Sequence, residues 1–332
     1  MGGVWGLASA CAMENLPLHA KGLFSGIFQP GFSVGVILSV LVNMAIQNAG
    51  LSFVYLFYVG AAFALVLAII RGLLPESQVF IDKKKKELEL KKNGTLQQQQ
   101  GPSFFQLFKN MLKEHWLLCL WTIGITTGLS GLANGCQAIY PIFLTETKSL
   151  PESLKNLTII LANLGGMVGP FLTGYLSQLI GRKLMIVLAV AFTLIATPLA
   201  ILPSTAEWLL TGYVLVQAGF QGAWGVAPVY LYELAPAEFK AFFPGITYQL
   251  GVMISSPAAE YEGNYAESHR TADGHRDYGS PMIHVMVFCA SLVILLLSFS
   301  YERESSEQEV ILEEDTYGDN NVSKPPSAHV KV

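Results

Sequence analysis

The twenty residues at 51–70, LSFVYLFYVGAAFALVLAII, carry no charge and no polar face. A helix of a soluble domain turns one polar side to water, and this run has none to turn. It is long enough to cross a bilayer, whose core of about 30 Å needs ~20 apolar residues. Seven more segments pass the same test, near residues 22–45, 116–143, 158–180, 184–202, 208–231, 241–259 and 282–299, and residues 2–13 supply about half a span. In lipid the backbone must satisfy its own hydrogen bonds, so repeated spans of this kind fold as a helix bundle. An all-α membrane protein is the expected fold class. Only 13% of the residues are charged, about half the share of a soluble domain, so most of the chain is expected to face lipid or other apolar helices.

Joining the spans in order places 16 of the 20 Lys and Arg in one set of loops: 14–21, 71–115, 181–183, 232–240 and the tail after 300. Lys and Arg accumulate on the cytoplasmic side. The long loop and the C-terminus are therefore expected there, in a multi-pass protein of the plasma membrane. Four regions follow: helices within 1–74, a central loop at 75–115, helices within 116–299, and an acidic tail at 300–332. The Lys/Glu block and glutamine run of the central loop lack a core and read as a solvated linker. Its end, FFQLFKNMLKEH, alternates apolar and basic positions, as a helix lying on the inner leaflet does. The cysteines Cys11, Cys119, Cys136 and Cys289 all lie in apolar stretches without metal-site spacing, and are expected as buried thiols.

One pattern repeats. GVWGLASACAMENLPLHAKGLFSGI at residue 3 aligns without a gap on GAWGVAPVYLYELAPAEFKAFFPGI at residue 222, with ten identities that include Trp5/Trp224, Gly6/Gly225, Glu14/Glu233, Pro17/Pro236, Lys21/Lys240 and Gly26/Gly245. The offset of 219 residues spans six helices and is far too long for a solenoid. Two spans follow each copy, so the motif helix is the fourth of a six-helix unit. Two such units make twelve helices, and this chain is expected to hold nine of them, the fourth to the twelfth. On that reading Met1 lies inside a helix, and a polypeptide beginning there is expected not to transport alone.

Twelve helices in two parallel repeats with a long central loop resemble the major facilitator superfamily, whose halves enclose a substrate near the midplane. GYLSQLIGRK at 174–183 resembles that family's loop signature, with Gly174, Gly181, Arg182 and Lys183 in place and Gln178 where an acidic residue is usual. Gly174 and Gly181 suit close helix approach and a tight turn. Arg182 and Glu233 are expected to pair at the cytoplasmic ends of neighbouring helices, and Glu14 is Glu233's repeat mate. Within the superfamily, residues 6–43 and GCQAIYPIFLTETKSL at 135–150 look like the fungal lactate and carboxylate permeases of the sialate/lactate:proton symporter branch. Those permeases typically carry Asn-x-x-Ser/Thr-His-x-Ser/Thr-Gln-Asp-x-x-x-Thr in the seventh helix. Here the corresponding places hold Ser130, Ala133, Asn134, Cys136, Gln137, Ala138 and Ile142, so only Gln137 is kept, beside Tyr140 and Pro141.

A charge at mid-bilayer costs at least ~2.5–3.5 kcal/mol and usually marks function, yet none falls near the centre of a complete span; Arg71, Glu233 and Glu260 are read as helix ends. Uncharged polar groups remain. Gln217, Gln221 and Trp224 share one helix face at i, i+4 and i+7, as Asn134, Gln137 and Tyr140 share another. With Gln29 and Gln249 these are the candidate substrate contacts, competing with a role as interhelical packing groups. The resemblance implies a secondary transporter of small organic anions, mono- or dicarboxylates, moved with a proton through the lipid bilayer by alternating access. A sugar or polyol carrier, or a membrane sensor on the same fold, is the alternative. No nucleotide loop, metal cluster or catalytic triad appears, so no enzyme activity, cofactor, metal or nucleic-acid partner is expected.

Overall fold

A computed structural model describes residues 4–14, 16–73, 104–236, 239–240 and 242–299, with isolated positions 81, 84, 85 and 89. The linker and the acidic tail read from the sequence lie almost wholly outside these residues, as do the side chains of Glu14 and Cys136.

The described residues form helices, with no strand among them beyond one isolated bridge between Arg270 and Arg276. In chain order these are α1 (Val4–Glu14), α2 (Leu18–Phe28), α3 (Pro30–Asn48), α4 (Val54–Leu73), α5 (Phe104–Glu114), α6 (Trp116–Ala133), α7 (Glu152–Ile180), α8 (Arg182–Ile201), α9 (Ala206–Leu234), α10 (Phe243–Ser255), α11 (Pro257–Ser268) and α12 (Gly279–Ser298). Among the described residues six helices are long and apolar enough to cross a membrane: Ala20–Asn48, which joins most of α2 to α3, and α4, α6, α7, α8 and α12. The chain is a multi-pass membrane protein.

Proline bends rather than breaks two of these rods. Gln29, between α2 and α3, and Ser256, between α10 and α11, both keep right-handed helical dihedrals, and the prolines that follow sit at the first position of the next segment. There the missing N–H costs least. The span read from sequence as 241–259 therefore runs on as helix to Ser268. Beyond Ala133, α6 continues through two π turns, Asn134–Ala138 and Phe143–Thr147, joined by Tyr140–Ile142.

The core is centred on α9, most of which is buried against α7 and α8. Small residues set the spacing. A methyl added at Gly169 would overlap the Ala218 carbonyl, and one at Gly212 would overlap Leu199 and Ala200. The stripe Gly128, Gly131 and Gly135 brings α6 onto Val293, Cys289 and Met286 of α12. Such close approach is how membrane helices gain packing contacts where lipid gives no hydrophobic drive. The α7–α8 turn is closed by Gly181 at φ +92°, a conformation that a side chain would strain.

On the opposite flank α4 buries no residue. α5 does more than lie on a surface. Its Met111 is buried with Cys119, Ala235, Phe239 and Phe243, and Phe108 meets Phe242 edge-on at 5.9 Å. Cys119 and Cys289 are buried as expected, whereas Cys11 is exposed, on a side of α1 that no described helix covers.

The repeat is visible in three dimensions. Shifted by 219, α1 falls on the end of α9, and the bent rod α2–α3 falls on α10–α11 to within a residue at its C-terminal end. The contacts obey the same exchange. Gly6 packs against Pro244 and Gly245. Their mates meet too, through Ser25, whose hydroxyl donates to the Gly225 carbonyl at 2.6 Å. An approximate two-fold axis therefore runs between α1–α2 and α9–α10.

Candidate functional site

A cavity of about 590 Å³ opens on this axis. Its walls come from α1 (Trp5), the α2–α3 bend (Phe28, Gln29, Phe32), α6 and its π turn (Ser130, Asn134, Gln137), α9 (Phe220, Gln221, Trp224) and α10 (Tyr248, Ser255). None of the described residues lining it is charged.

Three rings pack together at one end. Trp5 stacks on Tyr248 with centroids 4.6 Å apart, and Trp224 meets both edge-on, at 6.0 Å from Trp5 and 5.4 Å from Tyr248. Trp5 and Trp224 are repeat mates, and so are Gln29 and Tyr248, so the exchange of halves places two related pairs around one space. Across the axis the Gln29 amide nitrogen donates to Gln221 Oε1 at 2.9 Å. That leaves Gln221 Nε2 buried without an acceptor, and Ser130 Oγ, also at the cavity, without a partner. A buried donor left unmet costs about 1–3 kcal/mol, so this wall suits an incoming oxygen.

Of the residues singled out from sequence, Gln29, Asn134, Gln137, Gln221 and Trp224 line the cavity; Gln217, Tyr140 and Gln249 do not. Gln217 stands behind the wall, where it accepts from Gln137 Nε2 at 3.1 Å and donates to the Tyr213 hydroxyl at 2.9 Å. Tyr140 is buried in the core, stacked on Tyr213 at 3.7 Å, its hydroxyl 2.8 Å from the Ala200 carbonyl oxygen. Asn134 Nδ2 donates to the Ser255 carbonyl at 3.1 Å and so ties the π turn to α10. π turns widen a helix locally and often occur where side chains must be re-aimed. Sequence reasoning missed Trp5 and Phe28 as wall residues. The repeat carried a signal for Trp5, since its mate Trp224 was already a candidate.

The residues of the loop signature gather at the far end of α9. Arg182 reaches Glu233 with Nη2 3.3 Å from Oε1, and its Nη1 donates to the Ser177 carbonyl at 2.8 Å. Both side chains of the pair are less than one-fifth exposed. Lys21 and Lys240, repeat mates, converge on the Tyr232 ring at 5.2 and 5.6 Å, and Glu233 attracts Lys21. Gly174 accommodates α2; a methyl there would stand 2.6 Å from the Gly22 carbonyl and 2.8 Å from Gly26 Cα. Lys183 starts α8 beside Arg182. At the opposite end, Lys148 donates to the Pro203 carbonyl at 2.8 Å. Burial pulls its ammonium below the usual lysine range, and the Asp273 carboxylate partly offsets this.

The model of the Major Facilitator Superfamily matches residues 1–259. Among individual proteins, the chain is 28% identical over 299 residues to a carboxylic acid transporter protein homolog of Saccharomyces cerevisiae, covering 85% of this chain and 48% of that protein. It is 26% identical over 302 residues to the sialic acid transporter NanX of Escherichia coli, covering 90% of this chain and 68% of NanX. A putative polyol transporter of Arabidopsis thaliana is 27% identical over 150 residues, 44% of this chain and 28% of the relative. The chain thus spans about half the length of the yeast relative. A family match across more than three-quarters of the chain, on an all-helical bundle whose halves exchange about a central cavity, places it in the Major Facilitator Superfamily.

Proposed function

We propose that the protein is a secondary transporter of small organic acids, taking up a mono- or dicarboxylate together with a proton by alternating access. Its helices then correspond to the fourth to twelfth of a twelve-helix pair of repeats, with the Arg182–Glu233 end cytoplasmic. The observation that carries the substrate reading is the uncommitted donor of Gln221 in an uncharged, partly aromatic cavity. An amide N–H and a serine hydroxyl hold a carboxylate oxygen by hydrogen bonds. With no Lys or Arg on the wall to balance it, an anion crosses most easily with a proton that neutralises its charge. The yeast and Escherichia coli relatives support the same class.

A second reading has its own support. Stacked rings beside amides also suit a polyol or sugar, and polyol and glucose transporters are among the relatives. The deciding experiment is uptake of labelled lactate, pyruvate, succinate, sialate, a linear polyol and glucose by the protein, expressed from its complete reading frame in cells lacking their own carriers. Carboxylate uptake that rises with external acidity is the expected result. Uptake of polyol or glucose alone replaces the first reading with the second. Gln221→Leu is expected to raise the Km about tenfold, the equivalent of one lost hydrogen bond to a charged group, with surface abundance unchanged. Wild-type Km in both Gln221→Leu and Gln137→Leu would assign both amides to packing.

A further inference from the structure

We propose that Glu262 is the residue that carries the coupled proton. The inference rests on the proton-coupled reading above, and stands on one buried side chain. Glu262 lies on α11 and is completely buried. Neither of its carboxyl oxygens has a hydrogen-bond partner. Structural carboxylates inside proteins are held by donors, because an ionised one left bare is costly. This one faces Gly135 of the π turn, where an added methyl would stand 3.4 Å from Oε1 and 2.9 Å from Met286.

Among the described residues the helices around it offer no counter-charge. α6, its π turn, α11 and α12 contain no Lys or Arg. On α12 the titratable groups are the buried Cys289 thiol and His284, the latter engaged by the Tyr261 hydroxyl at 3.0 Å. The π turn presents the neutral Asn134 and Gln137. On its own helix Glu260, Tyr261 and Glu267 are exposed, and the part-exposed Tyr265 stacks on His269. A site of this kind accepts the protonated, neutral carboxyl and must rearrange or admit water to accept the ionised one. That is the property a proton carrier needs, because protonation then biases one arrangement of the helices over another.

Glu262 is also connected to the cavity. Ser255, Ala259 and Glu262 fall at i, i+4 and i+7 on one helix face, and the first two line the cavity. Asn134, which lines it too, is bonded to Ser255 and precedes the Gly135 that abuts Oε1. The proton arrives from water on one side, binds a Glu262 carboxyl oxygen while the organic anion occupies the cavity, and leaves to water on the other side after the halves have rocked.

Two measurements test this on the purified protein and in cells. Infrared spectra in nanodiscs at neutral pH are expected to show a protonated-carboxyl C=O band that disappears in Glu262→Gln and persists in Glu260→Gln. In cells, Glu262→Gln is expected to lose acid-driven accumulation of lactate while exchanging labelled for unlabelled lactate within about twofold of wild type. Glu262→Asp should retain part of the accumulation. Absence of the band, or wild-type accumulation by the Gln variant, overturns the proposal. If Glu262→Gln fails to reach the membrane, Glu262→Asp decides by its band: a shifted band supports the assignment and an unshifted one overturns it. A Glu262-dependent band in a protein that moves no carboxylate leaves the proton site standing and removes the carboxylate reading instead.

Discussion

The Arg182–Glu233 pair is the residue-scale feature most open to measurement. Its side chains are mostly buried, its N–O separations of 3.3 to 3.4 Å are loose, and Lys21 and Lys240 crowd the same end. A partly buried pair in such company contributes more than an exposed one, whose worth is about 0–1 kcal/mol. Arg182→Glu and Glu233→Arg are each expected to depress uptake and thermal stability, and the double swap to restore part of both. A coupling of about 1–3 kcal/mol in the double-mutant cycle is expected. Additive effects would mean that the two charges act independently, each through its other neighbours. This pair was legible in the sequence because the loop signature and the repeat both pointed to it. Glu262 was not, and the reason is physical. The segment PAAEYEGNYAES reads as polar loop by composition, so the helix was expected to stop near residue 259. The structure continues it by turning Glu262 and Ala266 inward and leaving Glu260, Tyr261 and Glu267 outside.

At the scale of elements, α2 and α7 meet through glycines on both sides. Gly22 and Gly26 face Gly174, and the backbones approach so closely that any side chain there must push them apart. Gly174→Val is expected to lower the melting temperature and surface abundance, by the order of 1–3 kcal/mol typical of overpacking. Gly60→Val on α4, where an added methyl meets nothing within 4 Å, is the matched control and should be nearly neutral. Equal losses at the two sites would mean that close approach is not what Gly174 supplies. Six of the eight full spans were readable because lipid-facing surface must be apolar along a helix's whole length. What periodicity did not convey is the interior of α6. The π turns at Asn134–Ala138 and Phe143–Thr147 shift the face on which later residues lie. Ideal spacing put Asn134, Gln137 and Tyr140 on one polar face. The structure leaves the two amides at the cavity and carries Tyr140 into the core beside Tyr213.

For the whole molecule the two-fold exchange decides where the halves touch. Gly6 on Pro244–Gly245, Ser25 on Gly225, and the two lysines over Tyr232 all lie between the cavity and the Arg182–Glu233 end. On the proposed alternating-access cycle these contacts close that end in one state and part in the other. The first two are small-residue contacts, one of them holding a short hydrogen bond, so a bulky side chain at either cannot be absorbed by rotamer changes alone. Ser25→Trp, which also removes the 2.6 Å bond to the Gly225 carbonyl, is therefore expected to hold the halves apart at this end and shift the population toward the opposite closure. The readout is labelling of Ala259→Cys, a cavity position on α11, by a membrane-impermeant maleimide in a protein whose native cysteines are replaced by alanine. With the Arg182–Glu233 end cytoplasmic, as proposed, labelling from outside should be rapid without the Ser25 substitution and slow by about tenfold or more with it, the factor that ~1.4 kcal/mol of altered balance produces. Acid-driven uptake should fall in parallel. Unchanged labelling alongside normal abundance would show that the contacts at Ser25 do not gate the cavity, and the closure would then have to reside in the charged cluster around Glu233.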